Sequence, residues 1–157
     1  YDVNGDKLMD IITCIDAHKY GLGWWEQSRK DSEITFIKHV IMGSKPEDCK
    51  AGIVFSQPHA IALTDIDGDG LADIVTGKRF WAHGPSGDVE PNAPAVLYWF
   101  KLTRGDQAGM AEFTPRLIDN DSGVGMHIAV GDLNGDGKPS DLAISNKKGT
   151  FVFVRGK

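Results

Sequence analysis

An aspartate cluster recurs three times along the chain: DVNGDKLMD at residues 2–10, DIDGDGLAD at 65–73 and DLNGDGKPSD at 132–141. The first aspartates of successive clusters stand 63 and 67 residues apart. Self-similarity at a period of this size is the signature of a repeat architecture, in which each small unit buries its apolar face against the next.

Each cluster leads into a short apolar run, IITCI, IVTG or LAIS, and the second and third are also preceded by one, HAIALT and HIAVG. Further segments are GLGWWEQ, ITFIKHVIM, VLYWFKL, FTPRLID and TFVFV. Val, Ile, Phe, Trp, Tyr and Thr dominate them, with Gly, Pro, Asn and Asp between, as expected of strands and their turns. No stretch sustains helical periodicity. The pattern predicts an all-β chain of about ten strands.

With the strands of a unit named A to D and the aspartate loop joining A to B, residues 51–122 make a complete unit. Its strands are expected near 59–64, 73–79, 95–102 and 112–118. Residues 1–50 make a unit without A, and 123–157 one without D. Four-stranded antiparallel units at this period predict blades of a β-propeller. Propellers hold about 4–8 blades, so about two and a half predict a fragment of a larger, seven-bladed ring completed by the same or another chain.

In the middle cluster, side-chain oxygens fall at loop positions 1, 3, 5 and 9, from Asp65, Asp67, Asp69 and Asp73, and Leu71 at position 7 offers its backbone carbonyl. Hard cations such as calcium take 6–8 oxygens at about 2.3–2.6 Å, and a tightly curled loop of alternating carboxylates supplies such a shell. Two carboxylates about 5 Å apart repel by about 3 kcal/mol at an effective dielectric of about 20, so four together call for a cation. No His or Cys falls at a ligand position, which disfavours softer metals. The corresponding residues are Asp2, Asn4, Asp6 and Asp10 in the first loop, and Asp132, Asn134 and Asp136 in the third. There an extra residue leaves Ser140 or a shifted Asp141 to fill the last corner. Up to three calcium ions are expected, the most anionic middle loop binding tightest. Solvated Asp-Gly turns are the alternative for any one cluster taken alone.

These loops resemble those of the FG-GAP/VCBS repeat proteins, whose propellers, the integrin α-chain head among them, hold calcium in aspartate-rich loops between strands. The Phe-Gly…Gly-Ala-Pro signature is absent, so the likeness is to the calcium-loop, VCBS-like branch. It implies a secreted, periplasmic or cell-surface protein, consistent with the weak calcium sites of about 10⁻⁴–10⁻³ M that suit extracellular modules. A more distant likeness is to the propellers of aldos-2-ulose dehydratase, a sugar-processing enzyme.

Antiparallel pairing of A with B brings His59 toward Lys78 and Arg79, at the end of the unit opposite the metal loop. The same construction places Met126 and His127 near Asn146, Lys147 and Lys148, and puts Asp16, His18 and Lys19 at the matching end of the first unit. With His83, these basic groups would surround one mouth of a central channel and suit an anionic or polyhydroxylated ligand, a carbohydrate or a protein. A solvated strand end is the plainer reading of Lys78 and Arg79. Trp24, Trp25, Trp81, Tyr98 and Trp99 are expected in packing between units, and His39 in a structural role.

Three functions follow: a calcium-stabilised scaffold or binding module, a sugar lyase or dehydratase using His59, His83 or His127 as acid or base with Lys78 or Arg79 stabilising an anion, and an adhesion module. No nucleophile–base pair is evident, so no catalytic residue is assigned. The chain carries 22 acidic against 17 Lys and Arg residues, net charge −5, which argues against nucleic acid as a partner. No apolar run approaches the ~20 residues of a membrane-spanning helix. Cys14 and Cys49 are the only cysteines; they pair in a disulfide or remain free thiols.

Overall fold

The computed structural model describes residues 1–105 and 110–156. Among the described residues ten strands run in chain order: β1 (Ile11–Cys14), β2 (Leu22–Lys30), β3 (Glu33–Met42), β4 (Pro58–Thr64), β5 (Asp73–Lys78), β6 (Leu97–Arg104), β7 (Ala111–Asp119), β8 (Ile128–Gly131), β9 (Asp141–Asn146) and β10 (Gly149–Phe153). Pro46–Asp48 forms a single 3₁₀ turn, the only helical element among the described residues. The chain is all-β. The four strands expected in the middle of the sequence correspond to β4–β7, each end within two residues of its expected place.

Three sheets form, in strand order β1-β2-β3, β4-β5-β6-β7 and β8-β9-β10, and every neighbouring pair is antiparallel. The central strand β5, Asp73 to Lys78, is buried at every residue. Gly77 in it has no room for a side chain, since a Cβ would stand 2.2 Å from the Val96 carbonyl oxygen. β3, at the edge of its sheet, is mostly exposed and carries Glu33, Lys38 and His39 among its apolar residues. Charge on an edge strand is a device against unwanted pairing.

The core lies between the sheets. Ala60, Val75 and Leu97 of the middle sheet pack with Val124, Ile128, Leu142 and Ile144 of the third segment, and Trp99 and Phe153 lie against them. On the other side Leu22, Met42 and Cys49 meet Phe55, Ile74 and Phe100, flanked by Tyr98. Val3 of the first loop, Trp24 and Leu102 form a smaller cluster. Trp24, Tyr98 and Trp99 thus pack between sheets. Trp81 stacks instead on Phe80 and donates its Nε1–H to the Pro91 carbonyl, and Trp25 lies under Lys38. His39 stacks on Trp24 and pairs with Glu26, a structural place.

The aspartate loops lie side by side. The Ala72 amide donates to the Tyr1 hydroxyl, linking the first two loops, and Thr64 donates to the Pro139 carbonyl of the third. Cys14 and Cys49 are free thiols. Cys14 donates to the Pro58 carbonyl, and burial raises its pKa to about 11.

Candidate metal centre

Each loop curls around its first carboxylate. Asp65 accepts the backbone N–H groups of Gly68, Asp69 and Gly70 at 2.7, 3.1 and 2.9 Å. Asp132 accepts those of Gly135, Asp136 and Gly137, and Asp2 those of Gly5 and Lys7. The curl needs left-handed backbone at the fourth and sixth positions, which Gly68 and Gly70 supply freely. Lys7 adopts it at φ 71 without a glycine's freedom. The fifth-position carboxylates, Asp6, Asp69 and Asp136, accept the amides of Leu8, Leu71 and Lys138.

The last carboxylate of each cluster is a brace. One oxygen of Asp73 accepts the Ile66 amide in its loop and the other the Leu102 amide in β6, at 3.0 and 2.9 Å. Asp10 joins the Val3 amide to that of Gln27 in β2, both at 2.8 Å. Asp141 joins the Leu133 and Asn134 amides to that of Arg155, just beyond β10. Asp141, not Ser140, therefore holds this place despite the inserted residue. Burial raises the Asp73 carboxyl to about 6, with the charges of Asp67 and Asp69 acting in the same direction.

The third positions differ. Asn4, buried, donates to Asp6 at 3.3 Å and to Glu26 of β2 at 3.2 Å. Asn134 donates to Asp136 and to the Arg155 carbonyl. Asp67 instead binds the Lys101 ammonium of β6, which also donates to Asp69 at 2.7 Å. Lys101, with Asp67 first, is pushed further into its charged form, and it lowers the pKa of Asp69 in turn. Leu71 packs its side chain against the Val3–Trp24–Leu102 cluster.

The donors suit a hard cation. Carboxylate oxygens of Asp65, Asp67 and Asp73 come within 4.8 Å of one another, and Asp67 Oδ1 is buried without a hydrogen-bond partner. An oxygen-only set of this kind matches calcium in preference to borderline or soft ions.

At the far end of the sheets three histidines gather. The His18 ring lies 5.4 Å from that of His59 and 4.9 Å from that of His83. Asp16 fixes the first of them by accepting the backbone amides of His18 and Lys19. Burial lowers the pKa of His59, and the charges of Arg79 and then His18 lower it further. His59 Nδ1 is buried without a partner. Lys147 reaches the Ala82 carbonyl beside His83 at 3.4 Å, and Lys148 lies over Phe80 and pairs with Asp121. His127 is exposed, just before β8.

Lys78 differs from the rim position its register suggested. It is 1% exposed, and its ammonium donates to Ser56 Oγ and to the Val89 carbonyl at 3.0 Å. It holds two loops together from within.

The model of the FG-GAP-like repeat family matches residues 2–76. This span is similar to an FG-GAP-like repeat. It takes in the first two aspartate loops and ends inside β5; the third loop, beyond it, repeats the same curl and the same brace. No curated protein and no solved structure matches the chain.

Two residues at the aspartate loops escaped the sequence reading. Glu26 and Lys101 each stand one residue before the strand amide that the brace carboxylate holds. They lie 22 and 34 residues from the loop side chains they touch, so only strand register brings them there. The legible signal was reciprocal charge, Glu in β2 where the first loop has Asn4 and Lys in β6 where the second has Asp67.

Proposed function

We propose that this chain is a calcium-binding β-propeller repeat module of an extracytoplasmic protein, acting as a scaffold that presents a ligand-binding edge. The observation that carries the reading is the repetition of one cage. Three loops, each built around a first-position carboxylate, are each tied by a last-position carboxylate to a backbone amide in a strand of their own sheet or, for the third, just beyond one. The FG-GAP-like match and three successive antiparallel sheets support blades of a propeller. The unfolded chain has no preformed cage, so ion binding adds to folding stability and the metal's role is structural. Titration of the chelator-treated chain with calcium in a calorimeter is expected to show saturable binding with a Kd of about 10⁻⁴–10⁻³ M or tighter. A flat titration through several millimolar calcium contradicts the reading.

The ligand edge is supported by the gathering of His18, His59 and His83 near Arg79, and by the buried, unpartnered His59 Nδ1. Cationic and neutral donors so grouped suit a carboxylate or an acidic sugar. Nothing in this group pairs a nucleophile with a base, which favours binding over turnover.

A further inference from the structure

Outside the loops themselves, the three cages differ at the residue just before the backbone amide that the brace carboxylate holds. It is Glu26 before Gln27 in the first unit, Lys101 before Leu102 in the second and Val154 before Arg155 in the third. Antiparallel register sets this residue across from the brace, and in the first two units its side chain reaches the loop.

In the first unit Glu26 brings a carboxylate to a loop whose third position is the neutral Asn4. The Asn4 amide nitrogen lies within hydrogen-bond reach of both Glu26 Oε1 and Asp6 Oδ2. His39 holds the other Glu26 oxygen at 2.8 Å, which fixes the side chain in place. The first loop therefore has four carboxylates around it, Asp2, Asp6, Asp10 and Glu26. In the second unit the four are Asp65, Asp67, Asp69 and Asp73, but Lys101 adds an ammonium that engages two of them. The third has Asp132, Asp136 and Asp141, and Val154 adds no donor.

Arginine does not distinguish the first two. Arg104 donates to the Asp2 and Val3 carbonyls of the first loop, and Arg155 to the Asp67 carbonyl of the second. Both guanidiniums come from the sheet that follows the loop in the chain.

We infer that this one position tunes calcium affinity, with Glu26 strengthening the first loop and the tethered ammonium of Lys101 weakening the second, so that the first binds calcium more tightly than the second. The inference rests on the calcium reading above. It reverses the order that counting loop aspartates gives. A dication entering the middle loop must displace Lys101 from Asp67 and Asp69 or bind beside its positive charge. In the first loop it gains a carboxylate held ready by His39. An ammonium on a long stem is a compact point charge well suited to a built-in counter-ion.

The test measures calcium affinity and stoichiometry by calorimetry for the chain and for Lys101→Met, Lys101→Gln and Glu26→Gln. Anomalous scattering from calcium-soaked crystals assigns ions to loops, and circular dichroism confirms that each variant is folded. Both Lys101 variants are expected to tighten the middle loop at least tenfold, and Glu26→Gln to weaken the first loop at least tenfold. Calcium binding to the parent chain that neither Lys101 variant strengthens overturns the inference alone. So does a parent crystal in which the middle loop fills before the first. Absence of calcium binding in the parent and in every variant overturns the calcium reading and this inference with it.

Discussion

At the scale of single residues, His59 carries the most informative titration. Its burial and the neighbouring Arg79 charge hold its folded pKa below that of a free imidazole. The unfolded chain therefore takes up a proton at about pH 6.5 that the folded chain refuses. Stability is unaffected above that pH, falls as pH drops toward the lowered His59 value, and levels off below it. An anion bound at this edge favours the imidazolium and raises the value again. NMR titration of the histidine ring protons is expected to show His59 titrating below pH 6.5, moving upward on addition of an acidic sugar. A His59 curve that no acidic sugar shifts counts against a ligand site here. Lys78 shows what single residues concealed. A lysine at a strand end reads as a solvated charge, yet loops carrying Ser56 and Val89 close over this one and satisfy its ammonium. No local pattern records a loop that folds back from 11 or 22 residues away.

At the scale of elements, the brace carboxylates bind loop to sheet. Asp73 is fully buried and each of its oxygens takes one backbone amide. Asp73→Ala leaves the buried Leu102 N–H and the half-buried Ile66 N–H without an acceptor, at a cost of about 1–3 kcal/mol for the first and less for the second. Asp73→Asn keeps one acceptor and turns an NH₂ toward the other donor, so it is expected to lose about half as much. Urea unfolding in chelator, with no ion to confound the comparison, checks this; equal stability of Asp73→Ala and parent would remove the brace. The strands around these loops were legible because their apolar runs are short, rich in β-branched residues and punctuated by Asp-Gly, as in HAIALT–DIDGDG–LADIVTG. The clusters themselves were legible because alternate carboxylates repeat at one period. What was not legible is what crosses between strands. The place of Asp141 was ambiguous because an inserted residue shifts it in sequence; in space the Arg155 amide fixes it. Glu26 and Lys101 were missed for the same reason, since register between strands, not spacing along one, sets them beside the loops.

At the scale of the whole molecule, three sheets share two inter-sheet cores, and the aspartate loops stand in a row where those sheets meet. Arg104 and Arg155 each reach from one sheet to the loop of the preceding one, so a loop that loses its shape loosens two sheets at once. The apolar contacts alone leave the loop carboxylates repelling one another. A bound ion removes that repulsion and couples loop geometry to the packing of neighbours. The most direct measurement is thermal melting of the chain in excess chelator and again with calcium restored. With calcium about a hundredfold above Kd, one site adds about 2.7 kcal/mol, which for a chain of this size raises Tm by about 5–10 °C. A rise of that order, reversed by chelator and absent with sodium, is the predicted result; identical melting curves with and without calcium would contradict the account.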